Sequence, residues 1–415
     1  MRKIPFSPPD ISEQEIWEVA ETMRSGWITT GPRTKQFEKN IAEYCGTACA
    51  VGMSSATAAM EMTLRILGIG PGDEVITSAY TYTASASVIY HVGAKIVLVD
   101  TAPDSYEIDY DKLTAAITDN TKVIIPVDIG GVMVDYDKLF AAVESKKQLY
   151  NPSNNIQALF DRPIVMADAA HSFGASYHSK KSGAAADFSC FSFHAVKNLT
   201  TAEGGAVTWR NRQGLDNDYL YDQYKLYSLH GQNKDAAAKL KPGAWEYDII
   251  YPAYKCNMTD LTAAIGLKQL ERFPDLMVRR SEINAIYDCV LLPLGVKRIE
   301  HNGSDYQGNY HLYLTRIPGI SHEKRCEIIT KMAEAGIACN VHFKPLPMMT
   351  AYKKLGFDIN DYPNAYRQYE NEITLPMHTL LTDEDAEYVA ETFVINLKSS
   401  YKSKQLVGVG ETICF

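Results

Sequence analysis

Short apolar runs alternate with helix-patterned segments from residue 48 to residue 168, and few folds accept that alternation. The runs are ACAVGM (48–53), DEVITS (73–78), KIVLVD (95–100), TKVIIPV (121–127) and PIVMAD (163–168), all suited to strands and all bounded by turn formers. Segments such as SATAAMEMTLRIL and YDKLTAAIT carry apolar residues at helical spacing between them. Strands separated by helices and apolar on both faces predict a mainly parallel sheet covered on both sides. This places a large α/β domain over 31–274.

The flanks follow other patterns. Ser12 and Glu15 form a capping-box pair ahead of Ile16, Val19, Ala20 and Met23, which share one helical face and end at Gly26, so 1–30 is read as an N-terminal helix and a loop. A second helix is expected from Thr34 to Tyr44, stopped by Gly46. The polar stretch 145–161, with its Asn-Pro, reads as a surface insertion. From 275 to 400 the order changes to a long helix (RRSEINAIYDCVLL), HLYLTRI, EKRCEIITKMAEAG, ACNVHF, EITLP and a last helix beginning near Asp383, which predicts a smaller α+β domain. The tail 401–415 has a composition that assigns it no role, and disorder is one reading of it.

Charge and cysteine usage exclude several classes. The formal net charge is −9, and no basic run exists that would neutralise the phosphates of a nucleic acid. The opening MRKIPFSPPD meets prolines at once, with no apolar stretch for a signal peptide, and no run approaches membrane-spanning length. The eight cysteines show no CxxC spacing, so neither a metal site nor a redox pair is expected, and reduced thiols of the cytoplasm are.

The segment from Asp168 to Trp209 carries the chemistry. Asp168 ends an apolar run, which in an open parallel sheet places it at the carboxyl edge, where ligands bind. Lys197 follows the strand-like DFSCFSF and precedes a turn rich in Thr and Gly. A lysine to form an imine and a carboxylate to keep a pyridine nitrogen protonated are the pair that pyridoxal phosphate requires. By residue type alone, a strand-end acid and a loop lysine explain the same two residues more simply.

The wider wording decides. The segments DAAHSFGA and SFHAVKNLTTAEGGAVT resemble the signature blocks of the DegT/StrS sugar aminotransferases, a fold type I family dependent on pyridoxal phosphate. PFSPPDISEQEIWEVAETMRSGWITTGPRTKQFEKNIAEYCG, SSATAAMEMTLRILGIGPGDEVITSAYTYTASAS and YKCNMTDLTAAIGLKQLERF are similar to further blocks, so the likeness spans most of the chain. It implies a fold type I architecture, with a large mainly parallel sheet domain and a smaller C-terminal α+β domain. It makes Lys197 the Schiff-base lysine and Asp168 the partner of the pyridine nitrogen. His171 then lies beside the ring, Tyr82 stacks on its face, and Ser192 with the Ala56–Thr57 turn binds the phosphate, where a helix start favours an anion. Lys255 and Asn257 match a segment that relatives extend to the neighbouring subunit's cofactor, although many carry Asn and Arg at those two places. Ala167 and Asp128 stand where Glu and His are common.

The resemblance also implies a homodimer with shared active sites, pyridoxamine 5'-phosphate as the intermediate form of the cofactor, and glutamate as amino donor. Among branches it is closest to enzymes acting on UDP- or dTDP-linked 4-keto sugars, with 3-keto sugars or cyclitol ketones as alternatives. The SGWITTGP loop with Trp27 and Thr29, His194, His342 and Lys344 match positions that face the sugar. A non-catalytic protein binding cofactor or sugar nucleotide is the competing reading, and the intact Lys197, Asp168 and Ser192 disfavour it.

Overall fold

The computed structural model of the chain describes residues 2–234 and 246–400, so the expectation for 401–415 lies outside the described residues. Strands β1 (Ala50–Met53), β2 (Glu74–Ser78), β3 (Lys95–Val99), β4 (Thr121–Ile125), β5 (Ile164–Asp168), β8 (Phe188–Ser192) and β9 (Gly205–Trp209) follow the apolar runs of the sequence. The short strands β6 (Ser176–Tyr177) and β7 (Lys180–Lys181) form a hairpin between them. The seven longer strands join in one sheet in the order β1-β9-β8-β5-β4-β2-β3. The pairs from β3 through β8 are parallel, and β9 runs antiparallel to both its neighbours.

Successive side chains of a strand point to opposite faces, and that is why these runs are apolar throughout. Val75, Val123 and Met166 enter one core with Met60, Leu64, Phe188 and Trp209. Their neighbours Ile76, Ile124 and Val165 enter the other, with Phe37, Ile41, Phe191 and Phe273.

The smaller C-terminal unit holds a three-stranded sheet of β10 (Lys297–Arg298), β12 (Tyr313–Arg316) and β13 (Glu372–Leu375). Strand β11 (Tyr306–Gln307) instead pairs with β6 of the large unit. The segment ACNVHF makes only an isolated bridge, Asn340 to Thr374. A 32-residue helix, Asp260–Leu291, crosses the 274/275 boundary of the sequence reading, with Pro274 inside it. Ala263 and Leu267 pack in the large core, and Ile283, Tyr287 and Leu291 in the small one. Proline removes one intrahelical hydrogen bond, and burial on both sides of it keeps the helix continuous. The sequence reading begins that helix at Arg279, whereas the structure begins it at Asp260.

The N-terminal segment also departs from expectation. Helix α1 (Glu13–Arg24) has the expected capping box at Ser12, but its apolar face is not its inner one: Ile16 is 54% and Met23 63% exposed and Val19 and Ala20 are half-buried, while Glu15 and Thr22 are buried. Glu15 faces inward because Gln269 donates a 2.9 Å hydrogen bond to it and Arg272 pairs with it at 3.3 Å. Ahead of that helix Ile4 joins the small-unit core and bridges to Ile337. The 145–161 stretch is not wholly superficial, since Gln157 is fully buried and its amide donates to the Leu67 carbonyl at 2.7 Å.

Helix α2 (Pro32–Cys45) has no side-chain cap of its own and ends at a left-handed Gly46. Asp260 supplies the missing acceptor: its buried carboxylate takes the amides of Gly31 (2.7 Å), Arg33 (3.1 Å) and Thr34 (2.9 Å) and the Thr34 hydroxyl (2.7 Å). Replacing Asp260 by Ala leaves these donors in the interior without an acceptor. A loss of roughly 3 kcal/mol is expected, read as a lower urea midpoint, and an unchanged midpoint would refute the assignment.

Candidate functional site

Where parallel strands end together, their last side chains share one edge. Asp168 closes β5 and Ser192 closes β8. Because β9 is antiparallel, its first residue, Gly205, pairs with both Ser192 and Met53 at this same edge. Helix α3 (Ala56–Ile66) starts there too, with Ser55 as N-cap accepting the Ala58 amide at 3.0 Å. By helix geometry the amides of Ala56 and Thr57 have no intrahelical acceptor, which makes this end attractive to an anion.

Gly205 is what allows the approach. A Cβ on it would lie 2.4 Å from the Ser55 carbonyl carbon, 2.5 Å from the Ala56 nitrogen and 2.6 Å from the Phe191 oxygen, all backbone atoms that have little room to yield. The second glycine of the GGAVT sequence therefore holds the sheet against the start of α3.

The edge opens into a cavity of about 410 Å³ whose walls include Ala56, Thr57, Tyr82, Asp168, His171, Ser192, His194, Lys197 and His342. The expected pair is thus in one place. Asp168 is buried; the Ser85 hydroxyl donates to one of its oxygens at 2.6 Å and the Ala170 amide to the other at 3.2 Å. Burial raises its pKa, against the lowering effect of these two donors and of Lys197. Lys197 sits in the turn after β8, its amide donating to the His194 carbonyl at 2.9 Å. Burial pushes its amine down to about 8, with Asp168 opposing. A lysine so placed has a much larger neutral fraction near pH 7 than one in water.

Three imidazoles and a phenyl ring form the opposite wall. The His171 ring lies 4.5 Å from that of His311 and 5.9 Å from that of Phe343, and its Nδ1 accepts from the Gly130 amide at 3.2 Å. Burial holds the pKa values of His171, His311 and His342 down, with Lys197 adding to the effect, which favours the neutral form of the rings. His194 is at the open side, 3.6 Å from Glu203. Tyr82 is 61% exposed at the mouth, its ring 6.0 Å from Phe343.

Other expected positions are not in this cavity. The Trp27 indole donates to the Thr30 carbonyl at 3.1 Å and covers Gly31, while the Thr29 carbonyl accepts the Asp260 amide at 3.0 Å. Trp27 is occupied within the N-terminal loop and Thr29 in joining that loop to the long helix, and neither lines this cavity. Lys344 is exposed, outside the lining. Asn257 lines a different cavity, of about 630 Å³, with Thr30 and Lys225, and Lys255 is hydrogen-bonded to it.

Sequence reasoning misses several residues of the site. Ser85, partner of Asp168, lies 83 residues before it in a segment noted only for Tyr82. His311 was absorbed in the strand-like HLYLTRI. Phe6 and Ser7 also line the cavity, with the Ser7 hydroxyl donating to Val196 at 3.1 Å and the Phe6 ring stacked 5.7 Å from His342. Asp128, also among the lining residues, is fully buried and held up to about 7 by burial, opposed by hydrogen bonds from Ser172, Val134 and Tyr136.

This donor set fits pyridoxal phosphate. An anion-attracting helix start and a serine stand at one end, a carboxylate is buried within hydrogen-bonding reach of small donors, and a partly desolvated primary amine shares the cavity with aromatic walls.

Comparison with known proteins gives the same direction. Residues 9–394 match the family described as the DegT/DnrJ/EryC1/StrS aminotransferase family. The chain is 37% identical over 397 residues to the spore coat polysaccharide biosynthesis protein SpsC of Bacillus subtilis, covering 94% of this chain and 95% of that protein. Among solved structures, Spr1654 of Streptococcus pneumoniae, assigned to the sugar aminotransferases, superposes in its PMP-form with a TM-score of 0.94 at 52% identity, over 96% of this chain and 100% of that one. Its PLP-form superposes with the same TM-score at 51% identity, over 97% of this chain and 100% of that one. PseC of Helicobacter pylori, an aminotransferase involved in the biosynthesis of pseudoaminic acid, superposes with a TM-score of 0.82 at 27% identity, over 96% of this chain and 100% of that one.

The packing at Gly205 generates a prediction. Gly205→Ala must displace either β9 or the start of α3, so retention of pyridoxal phosphate on dialysis should fall by at least about 10-fold, the equivalent of one good hydrogen bond to an anion. Equilibrium dialysis measures it, and wild-type retention in a folded variant would count against the account.

Proposed function

The chain belongs to the DegT/DnrJ/EryC1/StrS aminotransferase family, and from that premise we propose that it transfers an amino group from glutamate to the ketone of a nucleotide-linked sugar, a UDP- or dTDP-4-keto-6-deoxy sugar. It is a pyridoxal-phosphate-dependent sugar aminotransferase. The observation that carries the residue assignment is the meeting of Lys197 and Asp168, from separate strand ends, in one cavity that also receives the start of α3.

When bound, pyridoxal phosphate supplies an aldehyde for amines and a ring that accepts electrons from the reacting carbon. In this reading Lys197 Nζ tethers the cofactor and, once released, takes a proton from the substrate carbon and returns it. A neutral amine is needed for both tasks, and its lowered pKa provides one near physiological pH. Asp168 holds the proton on the pyridine nitrogen, and Ser85 and the Ala170 amide hold Asp168 in place. Ser192 and the amides of Ala56 and Thr57 would hold the phosphate, and His171 and Tyr82 would hold the ring. His194 and His342 face the sugar. Trp27, Thr29 and Lys344 lie outside the lining of their own chain's cavity, so in this reading they would meet the sugar only across the dimer.

The protein is taken to be a homodimer in which Lys255 and Asn257 reach the partner's cofactor phosphate. Support comes from their place outside their own chain's cavity and from the exposed Ile16, Trp17 and Met23 of α1, apolar side chains that are costly to leave in water. Among the described residues no helix is long and apolar enough to cross a membrane. The thiols of Cys45, Cys49, Cys190, Cys256, Cys326 and Cys339 are not in disulfides, which supports a cytoplasmic setting. The likeness to SpsC supports a role in polysaccharide synthesis.

Reduction of the cofactor-loaded protein with borohydride, followed by digestion, should place the pyridoxyl group on the peptide containing Lys197; a label elsewhere overturns the assignment. The rate of cofactor capture should rise with pH and level off above about 8, where the amine is neutral. Lys197→Ala should abolish transfer. Among UDP- and dTDP-linked 4-keto and 3-keto sugars, a 4-keto sugar should turn over fastest, and sedimentation should give twice the chain mass.

A further inference from the structure

A buried acid lies behind the cavity and is connected to it by hydrogen bonds. Along β13 the side chains alternate: Ile373 and Leu375 enter the small-unit core, which turns Glu372 and Thr374 to the opposite face. Both are fully buried. The Thr374 hydroxyl lies 2.5 Å from Glu372 Oε1 and 2.9 Å from His342 Nδ1, and the His342 amide donates to Glu372 Oε2 at 2.9 Å. With Nδ1 turned to Thr374, Nε2 is the ring nitrogen left for the cavity that His342 lines.

A threonine hydroxyl has one hydrogen, so it can donate to only one of these two neighbours. If Glu372 is ionised, Thr374 donates to it and must accept from His342, whose proton is then on Nδ1 and whose Nε2 has a free lone pair. If Glu372 is protonated, its O–H donates to Thr374, Thr374 donates to Nδ1, and the ring proton sits on Nε2. The protonation of the acid and the tautomer of the imidazole are therefore one variable.

We propose that Glu372, Thr374 and His342 form a proton relay: with Glu372 ionised, Nε2 takes a proton from an N–H or O–H group of the bound substrate, Nδ1 passes its own to Thr374 Oγ1, and Thr374 passes its hydroxyl proton to Glu372 Oε1, while with Glu372 protonated the same transfers in reverse deliver a proton from Nε2 to the substrate. Each step breaks one bond to hydrogen and forms another. The ring is neutral before and after, and the charge change falls on the carboxylate. In this scheme His342 touches substrate, while Glu372 and Thr374 are positioning residues.

Solvation favours that route. An imidazolium at His342 is opposed by burial and by Lys197, which hold its pKa near about 3. Burial raises Glu372 to about 8, against Thr374, the His342 amide and Arg325. The other titratable groups facing Glu372 are Tyr80, Tyr106 and Cys339, and those facing His342 are Lys197, His171 and His311. The interior thus accepts a neutral acid at 372 far more readily than a cation at 342.

The proposal rests on the cavity being the place of amino transfer, and the test separates the two ideas. Full-length protein with nitrogen-15 histidine, its signals assigned through His342→Gln, is titrated between about pH 6 and about pH 10. As pH falls through about 8 the His342 ring should remain neutral and pass from the Nδ1–H to the Nε2–H form. Thr374→Val should remove this change and slow transfer on the order of 10- to 100-fold in kcat, with KM for glutamate little altered. Thr374→Ser should restore both, and Glu372→Gln should leave a single tautomer throughout. A wild-type ring that keeps one tautomer over the range, or becomes a cation, overturns the relay. Borohydride labelling of the same samples reads the other idea: a label absent from Lys197 defeats the aminotransferase assignment of the site, whatever the imidazole does.

Discussion

Removal of water from the carboxyl edge of the large sheet sets the protonation state of nearly every group gathered there. The same burial lowers the amine of Lys197 and the rings of His171, His311 and His342, and raises the acids Asp168, Asp128 and Glu372. Asp168 is opposed in this by donors placed on its two oxygens. Hydrogen bonds from small neighbours, more than the distant amine, counter the cost of an anion in that position.

The architecture supplies that dry edge by one topological irregularity. A wholly parallel sheet would bring only strand ends to the site, whereas the reversed β9 brings a strand beginning, and with it the glycine that lets α3 approach. The small unit closes the other side through His311 and the turn carrying His342 and Phe343. Neither unit makes the cavity alone, and the continuous helix from Asp260 to Leu291 fixes their spacing because each half is buried in a different core.

Much of this could be read from the chain. Pairs such as Val75–Ile76 and Val123–Ile124 are apolar because both faces of the sheet are covered, so the strands announced themselves. Lys197 and Asp168 were legible through the wording around them. What was hidden depended on partners distant in sequence. Ser85 has no local mark of its contact with Asp168, His311 looked like any strand residue, and the continuity of the long helix through Pro274 is sustained by tertiary packing. The apolar stripe of α1 was seen, but its period cannot say whether the chain itself covers it; here Glu15 takes the inner side.

Ile4 ties the N-terminal segment to the small unit: it bridges to Ile337 and belongs to the core cluster that holds Ile373, Leu375 and Phe393. Phe6 and Ser7 follow directly and line the cavity. This stretch therefore couples the packing of the small-unit core mechanically to the shape of the binding site. Loosening Ile4 from its core would leave one wall of the cavity without its anchor.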